Sequence, residues 1–319
     1  MSSLFVTPDE IDFSAYMLDT EGERKVRSAS LYLQDMIDEI GSPAAAPVGW
    51  SLPWDKMAGM FVYHPGEVTL WAGANGTGKS LITGMVALDM VCRREPVVVA
   101  SLEMPPRKTL ARMVRQWVGS DPDSYRGVPV SDDLLRQLFC DFQVQCDGVL
   151  SLYDQVGSVS ADTALAVVRY AAKKLGAKHF VLDSLMKCVA GFDDYNAQKD
   201  FVNSLCTIAK DTGISVHLVA HTRKQADEGK RPNKYDVSGA SSVTDLVDNV
   251  MLFWRNKPKE AERRAGGQKL ADEPDAVLMC CKQRELGEEP EFGLWFDRDS
   301  QSYVESPGAA PIRWTERLA

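Results

Sequence analysis

The stretch "WAGANGTGKS" (Trp71 to Ser80) decides how the rest of this chain is read. Within it, Gly73-Ala74-Asn75-Gly76-Thr77-Gly78-Lys79-Ser80 matches G-x-x-x-x-G-K-[ST], the phosphate-binding loop pattern, at every fixed position. Glycines let the backbone wrap closely, so that successive N–H groups face phosphate oxygens. Lys79 has the reach to meet β- and γ-phosphates, and the Ser80 hydroxyl is a suitable Mg²⁺ ligand. The flanks agree with this. "EVTLWAG" reads as a buried strand, and "SLITGMVALDMVC", with Leu81 also expected beside the nucleotide, reads as a helix whose N-terminus faces the anion. A glycine-rich turn with a chance lysine is the alternative, and a strand and a helix on the correct sides argue against it. The chain is expected to bind ATP or another nucleoside triphosphate together with Mg²⁺.

Outward from this loop, short apolar strands alternate with helical patterns. "PVVVASLE", "VLSLYD", "KHFVLDS", "SVHLVAH" and "NVMLFWRN" read as strands, and Leu110, Met113, Val114 and Trp117 fall at helical spacing before Gly119. Such alternation predicts an α/β fold: a mainly parallel twisted sheet with helices on both faces. "DAVLMCCKQR" and "FGLWFDRDSQSYV" read as two further strands in an antiparallel hairpin at the sheet edge. Residues 1 to about 27 are polar and aperiodic, the pattern of a loosely held arm. After them Leu33, Met36, Ile37 and Ile40 form a short amphipathic helix that either folds back on its own core or docks on a neighbour. The expected divisions are 1–44 as arm and linker helix, 45–306 as the main domain, and 307–319 as a flexible Pro/Ala-rich tail.

Bulk properties limit the function. With 319 residues, 45% hydrophobic and 25% charged, the chain has ample material for one large α/β domain. No apolar run reaches the length of a membrane span, and the N-terminus lacks a signal-peptide core, which predicts a cytoplasmic protein without a membrane partner. The seven cysteines form no CxxC pair and the four histidines show no metal spacing, so reduced thiols and no structural zinc are expected. The net charge of −9 is opposite to that of a nucleic-acid coat. Any DNA contact has to come from a local basic segment, and Arg223 to Ser242, "RKQADEGKRPNKYDVSGASS", is one. By composition alone it reads as a solvated loop.

A phosphate loop also needs a carboxylate near Mg²⁺ and a base for the attacking water. "HFVLDS" ends an apolar strand in Asp183, and "SLEM" places Glu103 just beyond another strand. The phosphate loop, "SLEM" and "VLDS", in this order and spacing, resemble the RecA-like motor domain of DnaB-type hexameric replicative helicases. "VAHTRK" is closer to the phage primase-helicases and to Twinkle, which carry histidine at the sensor position. The resemblance covers roughly residues 45 to 305.

It implies a RecA-like P-loop NTPase core with the following roles. Lys79 and Ser80 hold phosphates and metal, Asp183 supports the metal, Glu103 is the general base and His221 senses the γ-phosphate. "CKQR" matches the family's K-x-R at the subunit junction, which makes Lys282 and Arg284 candidates for groups acting on a neighbour's nucleotide. "WRN" and "LWFD" resemble the segments that sandwich the base, implicating Arg255 and Phe296. The loops equivalent to Arg223–Ser242 line a pore and grip single-stranded DNA, which points to Arg223, Lys224, Lys230, Arg231, Lys234, Ser238 and Gly239. There the family's R-G-S-G pattern is replaced by Val237-Ser238-Gly239-Ala240. The resemblance further implies a homo-oligomeric, hexameric ring that unwinds DNA in phage replication, the linker helix docked on a neighbour, and any primase, loader or polymerase supplied separately. A RecA-like recombination mediator or switch that binds DNA without unwinding it is the alternative function.

Overall fold

A computed structural model describes residues 5–6, 49–122, 131–189, 194–222, 229–237 and 241–317. The linker-helix residues Leu33 to Ile40 lie outside them. A ten-stranded sheet forms the centre. In chain order its strands are β1 (Phe5–Val6), β4 (Val68–Gly73), β5 (Val97–Ser101), β6 (Leu150–Tyr153), β7 (His179–Asp183), β8 (Ser215–His221), β9 (Asn249–Arg255), β10 (Ala276–Gln283), β11 (Glu291–Asp297) and β12 (Ser302–Val304). A separate two-stranded ribbon joins β2 (Trp50–Ser51) and β3 (Val62–Tyr63). The spatial order is β1-β6-β5-β7-β8-β4-β9-β10-β11-β12. Pairing is parallel from β1 through β9 and antiparallel from β9 to β12. This is the expected RecA-like arrangement, with the antiparallel strands at one edge.

Strand β4 shows why the sheet is covered on both sides. All six of its residues are buried, so there is no polar face to give to water. Alternate side chains enter different cores. Val68, Leu70 and Ala72 belong to the core beneath α4 (Ala161–Lys174) and α5 (Tyr195–Thr212), whereas Trp71 joins the one beneath α1 (Lys79–Cys92) and α2 (Pro106–Val118). Helix α2 stops at Gly119, which takes φ 76°, a left-handed conformation suited to glycine. Among the described residues there are three more helices: α3 (Ser131–Cys146), α6 (Ser241–Leu246) and α7 (Lys257–Arg264). Among the described residues no helix is long and apolar enough to cross a membrane.

The structure departs from expectation in three places. Phe5 and Val6, within the arm expected to be loose, pair in parallel with Leu152 and Tyr153 at the sheet edge. The segment read as one strand from Phe292 to Val304 is two strands, because Asp297 accepts hydrogen bonds from the backbone and hydroxyl of Ser300 and Gln301 turns the chain at φ 55°. Finally, the tail expected to be flexible is packed over its described part. Trp314 is 0% exposed and donates its indole N–H to Gln116 O at 3.1 Å, while Arg317 donates to Pro53 O and pairs with Asp55.

Candidate nucleotide site

Parallel pairing brings the candidate residues to one edge of the sheet. The carboxyl ends of β4, β5, β7 and β8 lie side by side, with Gly73 opposite His221 and Ser101 opposite Asp183. Open α/β sheets bind their ligands at this edge. The loop from Gly73 wraps into α1, and Gly78 at its N-terminus takes φ 106°. Close packing explains two of the glycines: a Cβ on Gly73 would lie 2.4 Å from Phe253 O, and one on Gly78 would lie 2.6 Å from the Tyr303 hydroxyl.

Lys79 is the first residue of α1 and only 7% exposed. Its Nζ donates to Gly73 O and Ala74 O, each at 2.9 Å, and lies 3.2 Å from His221 Nδ1. Burial brings its pKa down to about 8, against the pull of Asp183 and Glu103. On the other side of the imidazole, His221 Nε2 lies 3.3 Å from Glu103 Oε1, which also accepts the Ser184 hydroxyl at 2.8 Å. The hydrogen bond with His221, followed by that from Ser184, holds Glu103 down at about 2 against the effect of burial. His221 therefore bridges the loop lysine and the candidate base.

Asp183 is buried, and its Oδ2 accepts the Ser80 hydroxyl at 2.5 Å. Burial raises its pKa and the Ser80 hydrogen bond opposes that rise. The two side chains offer oxygen ligands only and meet at one point, a donor set that fits Mg²⁺. Beside the loop is a cavity of about 340 Å³, bordered by Gly76, Thr77, Gly78, Leu81, Arg255 and Phe296. Arg255 is steered there by an ion pair with Glu260 and a hydrogen bond to Gly76 O at 3.1 Å. Tyr303 stands behind Phe296 with ring centroids 5.1 Å apart and donates to Thr77 O.

Lys282 and Arg284 lie at the other end of the sheet. Strand β10 runs antiparallel to β9, pairing Ala276 with Arg255 and Gln283 with Asn249. Six residues of strand, about 20 Å, therefore separate them from the phosphate loop of their own chain. Lys282 donates to the carbonyls of Thr244, Asp245 and Val247, closing the C-terminal end of α6. Arg284 is half exposed and pairs with buried Asp248 at 3.0 Å.

Of the candidate DNA contacts, Arg223, Lys224, Ser238 and Gly239 lie outside the described residues. Lys230 and Lys234 are exposed. Arg231 is engaged within the chain, paired with Glu291 at 2.9 Å and lying over the Trp254 ring. One of the four histidines, His64, meets Glu67 and Glu285 in space, and Glu67 Oε2 already accepts from His64 N and Asn249 Nδ2.

Sequence reasoning passed over Ser184, Glu260 and Tyr303. Ser184 directly follows Asp183 in "VLDS", so its place beside Glu103 had a local signal. Tyr303 had none, since it reaches the loop from a strand more than 220 residues further on.

Comparison with known proteins adds the family. The chain is 21% identical over 280 residues to the Twinkle homolog protein, chloroplastic/mitochondrial, of Arabidopsis thaliana, covering 81% of this chain. It spans only 37% of that protein's length. Among solved structures it superposes on an isolated ATPase domain with a TM-score of 0.71 at 17% identity, covering 88% of this chain and 99% of that one. It also superposes on a DnaB-like replicative helicase, solved in a study of its interactions with primase, with a TM-score of 0.63 at 16% identity, covering 88% and 67%. These likenesses establish the fold. The AAA domain model matches residues 59–227, more than half of the chain and the whole run from the phosphate loop through His221. The chain belongs to the AAA domain family, and that membership implies nucleotide binding and, in general terms, ATP hydrolysis.

Proposed function

We propose that this chain is the ATP-driven motor of a ring-forming helicase that moves on single-stranded DNA. The observation that carries this reading is the division of the candidate machinery between the two ends of the sheet. Lys79, Glu103 and His221 share the carboxyl edge, whereas Arg284, half exposed beside Asp248, stands about 20 Å away, out of reach of its own site and on a surface a neighbour could meet. In this reading Lys79 leaves the Gly73 and Ala74 carbonyls to hold the β- and γ-phosphates. Ionised Glu103 takes the proton of the attacking water. Arg284 from the next subunit stabilises charge on the transferred group. Lys282 keeps α6 and the end of β10 in register, and so orients Arg284 rather than touching phosphate. Ser80 and Asp183 would hold Mg²⁺, which would neutralise phosphate charge when bound. Arg255 and Phe296 flank the base. His221, touching both Lys79 and Glu103, relays the state of the γ-phosphate to the segment that follows it.

The test is unwinding of a forked duplex with ATP and Mg²⁺, with Lys79→Ala and Glu103→Gln as controls. Lys79→Ala should lose nucleotide binding, whereas Glu103→Gln should bind ATP and fail to turn it over. Strand-stimulated hydrolysis by the unaltered chain without any unwinding would replace the motor with the mediator or switch reading.

A further inference from the structure

We propose that Tyr235 is a base-stacking contact for single-stranded nucleic acid, linked through the backbone to His221. The inference rests on the strand-binding reading above and assigns one contact within it. The segment Asn233–Val237 is held at both ends. Asn233 Oδ1 accepts the backbone N–H of Tyr235 at 2.9 Å, and Asp236 Oδ2 accepts that of Asn233 at 2.8 Å. Together they form a capping box around a single 3₁₀ turn, Lys234–Asp236. Pro232 before the turn is buried, and Val237 after it is buried and pairs antiparallel with Thr222.

On this fixed turn the phenol of Tyr235 is 71% exposed. Large rings on soluble surfaces are usually partly covered, and this one is held out into water by a backbone already ordered. A tyrosine on a fixed turn loses little conformational freedom when a flat partner covers it. The nearby groups indicate what that partner is. Lys234 Nζ lies 5.7 Å from the ring centroid, and Lys230 is exposed on the same segment. An aromatic ring beside exposed lysines suits a nucleotide, with its base on the ring and its phosphate on a lysine. A protein partner would call for a broader apolar patch, but the residues of the turn around Tyr235 are Asn233, Lys234 and Asp236.

The same segment leads to the nucleotide site by a short path. Two residues after Tyr235, Val237 bridges to Thr222, whose N–H donates to Gly73 O at 3.1 Å at the start of the phosphate loop. Thr222 directly follows His221, which lies between Lys79 and Glu103. A base seated on Tyr235 would thus act on a strand pairing next to the candidate sensor.

The experiment titrates the full chain, with a non-hydrolysable ATP analogue and Mg²⁺, against a fluorescent oligothymidine and the same strand bearing abasic sites. Tyr235→Ala and Tyr235→Phe are run alongside, each checked for an unchanged far-UV spectrum and melting temperature. The unaltered chain should prefer the intact strand by about 5- to 150-fold, the range of one base–aromatic stack. Tyr235→Ala should lower that preference at least about fivefold, and Tyr235→Phe should keep it. At saturating intact strand, Tyr235→Ala should also show weaker stimulation of hydrolysis than the unaltered chain. An undiminished preference for intact strand in Tyr235→Ala overturns the stacking contact while leaving the strand-binding reading in place. Full stimulation at saturation overturns the link to His221. Failure of the unaltered chain to bind either strand overturns the strand-binding reading and this inference together.

Discussion

Replacing Arg284 by alanine should abolish most hydrolysis while sparing ATP binding, and the defect should be repairable by a partner carrying a different defect. Strand β10 places Arg284 at the end of the sheet remote from the phosphate loop, so its loss removes nothing from the nucleotide site of its own chain. An arginine supplied from outside a site is worth ~10³ or more in rate, because it stabilises charge developing on the transferred phosphoryl group. The cost in stability is smaller. Arg284 is 49% exposed, and its buried partner Asp248 keeps the hydrogen bond from the Val68 N–H at 3.0 Å, so about 1–3 kcal/mol is expected. The assay is steady-state hydrolysis of Arg284→Ala mixed with Glu103→Gln at varying ratio, with the oligomer's mass followed by light scattering. If each site uses its own Glu103 and its neighbour's Arg284, then at equal mixing about one interface in four is intact, and activity should rise to roughly a quarter of the unaltered level. Two results would refute the reasoning. One is full-rate hydrolysis by a monomer, and the other is no recovery at any ratio although mixed oligomers form.

The remaining predictions concern the loop lysine, the basic segment and the tail. Because the Lys79 pKa is lowered to about 8, the nucleotide-free amine loses its proton as pH rises through that value, and ATP affinity should fall between about pH 7 and 9. Lys79→Arg, if it binds, should show no such fall, and calorimetric titration across that range checks both. The same shift has a consequence for stability: the unfolded lysine holds its proton to higher pH, so this group's contribution to stability increases as pH rises from about 8 toward 10.5. Neutralising Lys230 and Lys234 together should reduce the salt slope of single-strand binding by about 1.4, at about 0.7 per phosphate contact. Adding Arg231→Gln should change it little, because Arg231 is already paired with Glu291. Trp314→Ala should destabilise the fold by about 3–5 kcal/mol, visible as a lower melting temperature, since a fully buried indole and its hydrogen bond to Gln116 are both lost. A melt unchanged by that substitution would mean that the tail does not pack in solution.

How much was legible in the sequence depended on the range of the interaction. The phosphate loop, the buried strands β4, β5, β7 and β8, and the stop of α2 at Gly119 follow from spacing and backbone preference within about ten residues. Glu103 and Asp183 could be nominated because each closes an apolar strand, and parallel strands end on one edge of a sheet. Local pattern could not show that His221 stands between Lys79 and Glu103, because that contact joins residues more than 100 positions apart and depends on the register of β4 against β8. The tail misled for a related reason. Proline and alanine around Pro307 to Pro311 favour an irregular chain, but they do not oppose docking, and the large apolar surface of Trp314 settles the outcome. The break between β11 and β12 depended on Asp297 turning back to Ser300, a polar contact that apolar alternation on either side conceals. Conformational preference is thus written residue by residue along the chain. Which distant side chains share a site is decided only when the two cores close on opposite faces of the sheet, because the free energy of burial belongs to the assembled surface and not to any one segment.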